Sequence, residues 1–68
     1  MKSKKASFVI KILLKNNFVL VRSKGSHSIF KNGGITLIVP YHGLNREIPI
    51  GTLMAIIKQS GLDKDLFI

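Results

Sequence analysis

Proton-transfer chemistry has few carriers in this chain. There are 2 histidines, 3 Asp or Glu residues, 1 tyrosine and no cysteine, against 11 Lys or Arg. Their placement excludes most hydrolytic mechanisms. Metal-dependent nucleases and hydrolases gather carboxylates around a divalent ion. Here the carboxylates are Glu47, Asp63 and Asp65, all outside the basic region of the chain. His27 and His42 are too few for a closed zinc site, and without cysteine there is neither a thiolate ligand nor a thiol nucleophile. A serine triad needs a histidine and a buried acid, and no third member presents itself. Any catalysis therefore rests on His, Lys, Arg, Tyr and backbone amides, with no metal and no cofactor.

That set suits cleavage of RNA, which carries its own nucleophile in the 2′-hydroxyl. An enzyme has only to take that proton, protonate the leaving 5′-oxygen and steady the crowded phosphate. A histidine can make either transfer, because its ordinary pKa lies near neutrality. Cationic side chains and amides stabilise the developing charge. Arg22-Ser23-Lys24-Gly25-Ser26-His27 places such groups together. Gly25 lets the backbone come close to a phosphate, the amides of Ser26 and His27 can donate to it, and the Ser26 and Ser28 hydroxyls are further donors. Arg22 and Lys24 read as phosphate ligands or, equally, as solvated strand-edge charges. His42 reads as a structural or exposed loop histidine, or as a second proton-transfer or substrate group. Tyr41 could stack on a base. Taken alone, a lone strand histidine beside a Lys-Gly-Ser turn is a weak signal.

These side chains need a frame. Ser3 to Asn17 reads as a helix: Lys4, Ser7, Lys11 and Lys15 form a polar stripe, with Ala6, Val9, Ile10, Leu13 and Leu14 roughly opposite and Phe8 and Ile12 flanking. Asn16-Asn17 stops it. Phe18 to Arg22 is a β-branched and aromatic run, hence a strand. Lys24-Gly25 reads as a tight turn, and His27 to Lys31 as a second strand. Asn32-Gly33-Gly34 is a hairpin signal, and Ile35 to Val39 is a third strand ended by Pro40. Tyr41 to Glu47 is a loop. A second helix runs from about Ile50 to Ser60, with Pro49 at its start and Gly61 at its end. The tail from Asp63 adds a turn of helix or a strand.

The fold class is thus α+β in the order α-β-β-β-α, one domain over residues 1–68, with a three-stranded antiparallel sheet and both helices on one face. Phe8, Phe18, Phe30 and the apolar residues of the second helix are the expected core. On the first strand either Phe18, Leu20 and Arg22 or Val19, Val21 and Ser23 face outward. On the second, burying Phe30 with Ser28 and Asn32 sends His27, Ile29 and Lys31 to the open side.

Charge adds a constraint. The net charge is +8, and residues 1–46 carry nine Lys or Arg and no acid, whereas residues 47–68 sum to −1. Such a surface attracts polyanions, with nucleic acid first, an anionic membrane next and an acidic protein third. It also reads simply as a device for solubility. Lys2, Lys4 and Lys5 precede the apolar Phe8–Leu14, but Lys11 interrupts that stretch and no small-residue cleavage site follows, so it is a poor signal peptide. No run approaches the ~20 apolar residues of a membrane span, and a cytoplasmic location is expected. A domain of this size has a core supplying about 3–5 kcal/mol, and with no disulfide available a partner chain is the remaining stabiliser.

Taken together, the segments resemble a known family. Phe18-Val19-Leu20-Val21-Arg22-Ser23-Lys24-Gly25-Ser26-His27-Ser28-Ile29-Phe30 is similar to the signature of the HicA (YcfA-like) toxins: an aromatic, a short strand, Arg, then Gly-Ser-His and an apolar pair. Val39-Pro40-Tyr41-His42-Gly43 resembles the family's VP-x-H segment. Gly51-Thr52-Leu53, with Ile56-Ile57-Lys58-Gln59-Ser60-Gly61-Leu62, resembles its second helix and KQAGL ending. The resemblance spans roughly Lys4 to Leu62. It implies a fold like that of double-stranded-RNA-binding domains and metal-independent cleavage of messenger RNA, which blocks translation. It also implies His27 as the catalytic histidine and a HicB-type antitoxin that covers the active site. The chain departs from the family in lacking an acid in the first helix and in having Met54 where Arg is common. Two other readings compete: a non-catalytic RNA-binding module of the same fold, and a membrane-active basic peptide.

Overall fold

The computed structural model describes residues 1–68. The chain runs through β1 (Lys4–Lys5), α1 (Ala6–Lys15), β2 (Val19–Lys24), β3 (His27–Asn32), β4 (Ile35–Pro40), β5 (Glu47–Ile48) and α2 (Ile50–Ser60), then a 3₁₀ turn at Lys64–Phe67. β2, β3 and β4 form an antiparallel sheet in that order, and β1 and β5 a separate two-stranded ribbon. The main elements keep the expected α+β order, α-β-β-β-α. No helix is long and apolar enough to cross a membrane.

α1 starts later than its periodicity predicts. Lys4 and Lys5 are extended instead and pair with Ile48 and Glu47. No side chain caps the helix. The loop after β4 does so in its place: the Ala6 and Ser7 amides donate to the Arg46 and Leu44 carbonyls at 2.9 and 3.0 Å, satisfying two of the amides every helix start leaves open. The other end stops as the asparagines suggest. Asn17 has φ 72°, and the Phe18 amide reaches back to the Leu13 carbonyl at 3.0 Å, the long bond of a Schellman motif.

The sheet has an inner and an outer face, fixed by register. Phe30 stands between Leu20 and Leu37, and Ser28 between Ser23 and Val39, on the inner side. His27 stands between Lys24 and Pro40, Ile29 between Arg22 and Ile38, and Lys31 between Val19 and Thr36, on the outer side. Both helices cover the inner face. Ala6, Val9 and Leu13 from α1 and Leu53, Ile56 and Ile57 from α2 join Phe18, Phe30, Leu37, Val39, Ile48 and Phe67 in one buried cluster.

One aromatic residue expected in the core is exposed, and another that the sequence does not single out is buried. Phe8 is 37% exposed, with the Lys4 ammonium 5.3 Å from its ring centroid, a cation–π contact. A helix of this length buries one stripe, and Phe8 lies at its edge. Phe67 is fully buried. The 3₁₀ turn delivers it, held at its start by the Asp65 amide donating to the Asp63 carboxylate at 2.9 Å.

Candidate active face and its reverse side

The histidine face depends on an irregularity in β2. Leu20 pairs with Phe30, but the next pairing is Arg22 with Ile29, so Val21 is an extra residue opposite none. Such a β-bulge shifts the alternation of every residue beyond it. Neither outward set expected for this strand is therefore the real one. Val19 faces outward before the bulge, and Arg22 and Lys24 face outward after it; Leu20 and Ser23 face inward. Without the bulge Arg22 would lie on the Leu20 side, away from His27.

The Gly25–Ser26 turn does the rest. Of these two residues only Gly25 has positive φ, 59°, the pattern of a type II′ hairpin turn. It makes Lys24 and His27 direct cross-strand partners, a pairing that holds Cβ atoms about 4.5–5.5 Å apart. A shallow concavity of about 360 Å³ results, lined by Arg22, Lys24, His27, Ile29 and Ile38. Its floor is aliphatic and its rim is two cations and an imidazole. His27, Arg22 and Lys24 are all exposed, so a large polyanion can reach them without any part of the chain moving aside. No group of three His, Asp or Glu side chains that could hold a metal ion forms anywhere in the chain.

The remaining sequence candidates lie on the reverse side. A second concavity, about 490 Å³, is lined by Ser23, Gly25, Ser26, Ser28, Tyr41, His42 and Gly43. Ser28, expected among the RNA-contacting residues, is 3% exposed. Its hydroxyl is within hydrogen-bond distance of Ser23 Oγ at 2.9 Å and donates to Tyr41 Oη at 3.3 Å. It belongs to a clasp joining β2, β3 and the loop after β4. Tyr41 is half-buried, packed against the core while also lining this concavity. Gly25 and Ser26 form the turn between the two concavities. The structure thus brings Arg22, Lys24 and His27 together and sets His42 apart from them. Ile38 and Ser23 were not singled out as site residues by sequence; cross-strand register identifies both.

The loop carrying His42 is held at several points. The Tyr41 amide donates to the Ser26 carbonyl at 2.8 Å and the Arg46 amide to the Gly43 carbonyl at 3.1 Å, while the Leu44 and Arg46 carbonyls accept from the Ser7 and Ala6 amides at the start of α1. Gly43 has φ 148°, a region that side-chain-bearing residues rarely enter. Gly43→Ala is expected to lower stability by about 1–3 kcal/mol, read as an earlier urea midpoint. An unchanged midpoint would show that the loop relaxes without strain.

No curated relative matches the chain. The family model described as "HicA toxin of bacterial toxin-antitoxin" matches residues 6–62, a span that takes in both helices, the three-stranded sheet with its bulge, and both concavities. The chain therefore belongs to the HicA toxin family.

Proposed function

We propose that this protein is the toxin of a HicA/HicB pair and a metal-independent endoribonuclease that cleaves messenger RNA, with His27 as its catalytic histidine. The observation that carries the reading is the gathering of His27, Lys24 and Arg22 over the Ile29–Ile38 floor of an open sheet face. A scissile phosphate resting on the rim meets two cations that offset the charge gained as its geometry becomes five-coordinate. The 2′-oxygen forms its bond to phosphorus as the bond to the 5′-oxygen breaks. His27 takes the 2′-hydroxyl proton or supplies one to the leaving 5′-oxygen. Water, which reaches this face freely, serves the other transfer. The products are a 2′,3′-cyclic phosphate and a 5′-hydroxyl.

The substrate puts the protein in the cytoplasm. A HicB-type antitoxin is its partner, and the outer sheet face is the surface for it to cover. Val19 is 62% and Ile38 55% exposed there, among Arg22, Lys24 and Lys31, so the face offers apolar contact within a cationic rim.

The test is cleavage of a short single-stranded RNA by purified protein in excess EDTA, with a DNA strand of the same sequence beside it and the product ends identified. Cleavage of RNA alone, leaving cyclic-phosphate ends, is expected. Cleavage of the DNA, or loss of activity in EDTA, would rule the mechanism out. Tight RNA binding without cleavage would make the protein a binding module.

A further inference from the structure

We propose that the concavity on the reverse side of the β2–β3 turn is a second phosphate subsite, holding a backbone phosphate of the same RNA strand that flanks the scissile one. The proposal rests on the ribonuclease reading above and deepens it.

The lining offers donors to an anion and no acid to repel one. Ser26 brings a hydroxyl, His42 an imidazole, and Gly25 and Gly43 backbone without side chains, while the Ser23, Ser28 and Tyr41 hydroxyls are already joined to one another. No carboxylate is among the lining residues. The stem of an exposed arginine lies beside it: Arg46 Cγ is 3.5 Å from where a Gly43 Cβ would be, and the flexible side chain beyond gives its guanidinium reach to the rim. Sequence reading left Arg46 in an unremarked loop, because its proximity to His42 comes from the turn at Gly43.

A polynucleotide backbone, rather than a single small anion, follows from the arrangement of the two concavities. Lys24 and His27 are outward-facing and Ser23 and Ser28 inward-facing at adjacent positions of one hairpin. The turn between them, Gly25–Ser26, presents no obstacle: a Cβ at Gly25 would meet nothing within 4 Å. A strand crossing that turn places one phosphate on each side. The ligand class is accordingly single-stranded RNA bound by its backbone.

The experiment compares wild type with the double variant His42→Asn, Arg46→Gln. Cleavage kinetics are measured on an RNA of ~20 nucleotides and on a dinucleotide, across a series of salt concentrations. Both replaced residues are exposed, and a thermal melt confirms that the variant folds. The expected result is a KM for the long RNA raised roughly tenfold, a much smaller change on the dinucleotide, kcat on the long RNA held within about twofold, and a salt slope reduced by about 0.7 for the one lost phosphate contact. Equal KM values for the long RNA would overturn the proposal. So would an equal loss on both substrates, or a fall in kcat at constant KM, which would place His42 at the reacting phosphate. If wild type cleaves neither substrate, the ribonuclease reading fails by itself. Fluorescence anisotropy on the long RNA then decides the subsite: roughly tenfold weaker binding by the variant supports it, and equal binding overturns it.

Discussion

Replacing His27 with alanine is expected to slow RNA cleavage by roughly 10²–10⁴-fold, the usual worth of a positioned proton-transfer group. The loss should fall on kcat. His27 stands over the concavity at the end of β3 and is exposed, so removing the imidazole leaves the buried cluster intact and the thermal melt close to that of wild type. Lys24→Ala supplies the comparison. It removes a charge facing the same phosphate but no proton carrier, so its rate should fall less and its salt dependence weaken. Unchanged cleavage by the His27 variant would remove this histidine from the chemistry. A drop accompanied by an equal drop in RNA affinity would make it a binding residue. Expression in cells gives a parallel readout, because growth arrest by the wild-type chain and not by the variant requires the same group.

Phe30→Ala is expected to unfold most of the isolated protein at 25 °C. Phe30 is 1% exposed at the centre of the sheet, opposite Leu20 and Leu37. Truncating a buried phenylalanine costs about 3–5 kcal/mol, and a core of this size supplies a net stability of about the same amount. A urea titration followed by circular dichroism should show wild type with a full cooperative transition and the variant with little or none. Phe8→Ala is the matching control. Its ring is partly exposed at the edge of α1 under the Lys4 ammonium, so the loss should be clearly smaller and the cooperative transition retained. A bound antitoxin should restore the Phe30 variant in part, since a partner that binds only the folded chain shifts the equilibrium toward it.

The elements were legible wherever a local pattern determines them. α2 occupies Ile50–Ser60 with Gly61 at φ 73° closing it, as the apolar spacing, Pro49 and Gly61 indicate. β3 and β4 each run one residue beyond their expected ends, to Asn32 and Pro40. His27 faces outward because burying Phe30 leaves it no alternative. Features that depend on distant or irregular pairing were not legible. The extension of Lys4–Lys5 arises from residues Glu47–Ile48, and no periodicity within the first twenty residues can report that. The bulge at Val21 has no signature in Val19-Leu20-Val21, which reads as an unbroken strand, and so the correct outward set combined members of both alternatives. Spacing makes Ser28 an open hydroxyl, because it cannot reveal that Ser23 and Tyr41 engage it. Phe67 was overlooked because a short polar tail gives no hint that a 3₁₀ turn brings its one aromatic ring to the core.

The way α1 is completed bears on when the protein first becomes dangerous during its own synthesis. The amides that open this helix wait for carbonyls at Leu44 and Arg46, and the extended residues before it wait for Glu47 and Ile48. At about 5–20 residues per second, those partners are polymerised some 2–8 s after the helix itself, and they must also clear the ribosomal tunnel. Until then α1 lacks the loop that caps its start. The basic segment Arg22–His27 is thus translated before the loop that completes α1. On the reading proposed above, the face that carries His27 is therefore completed only when the loop after β4 has joined α1, which leaves an antitoxin an interval in which to bind.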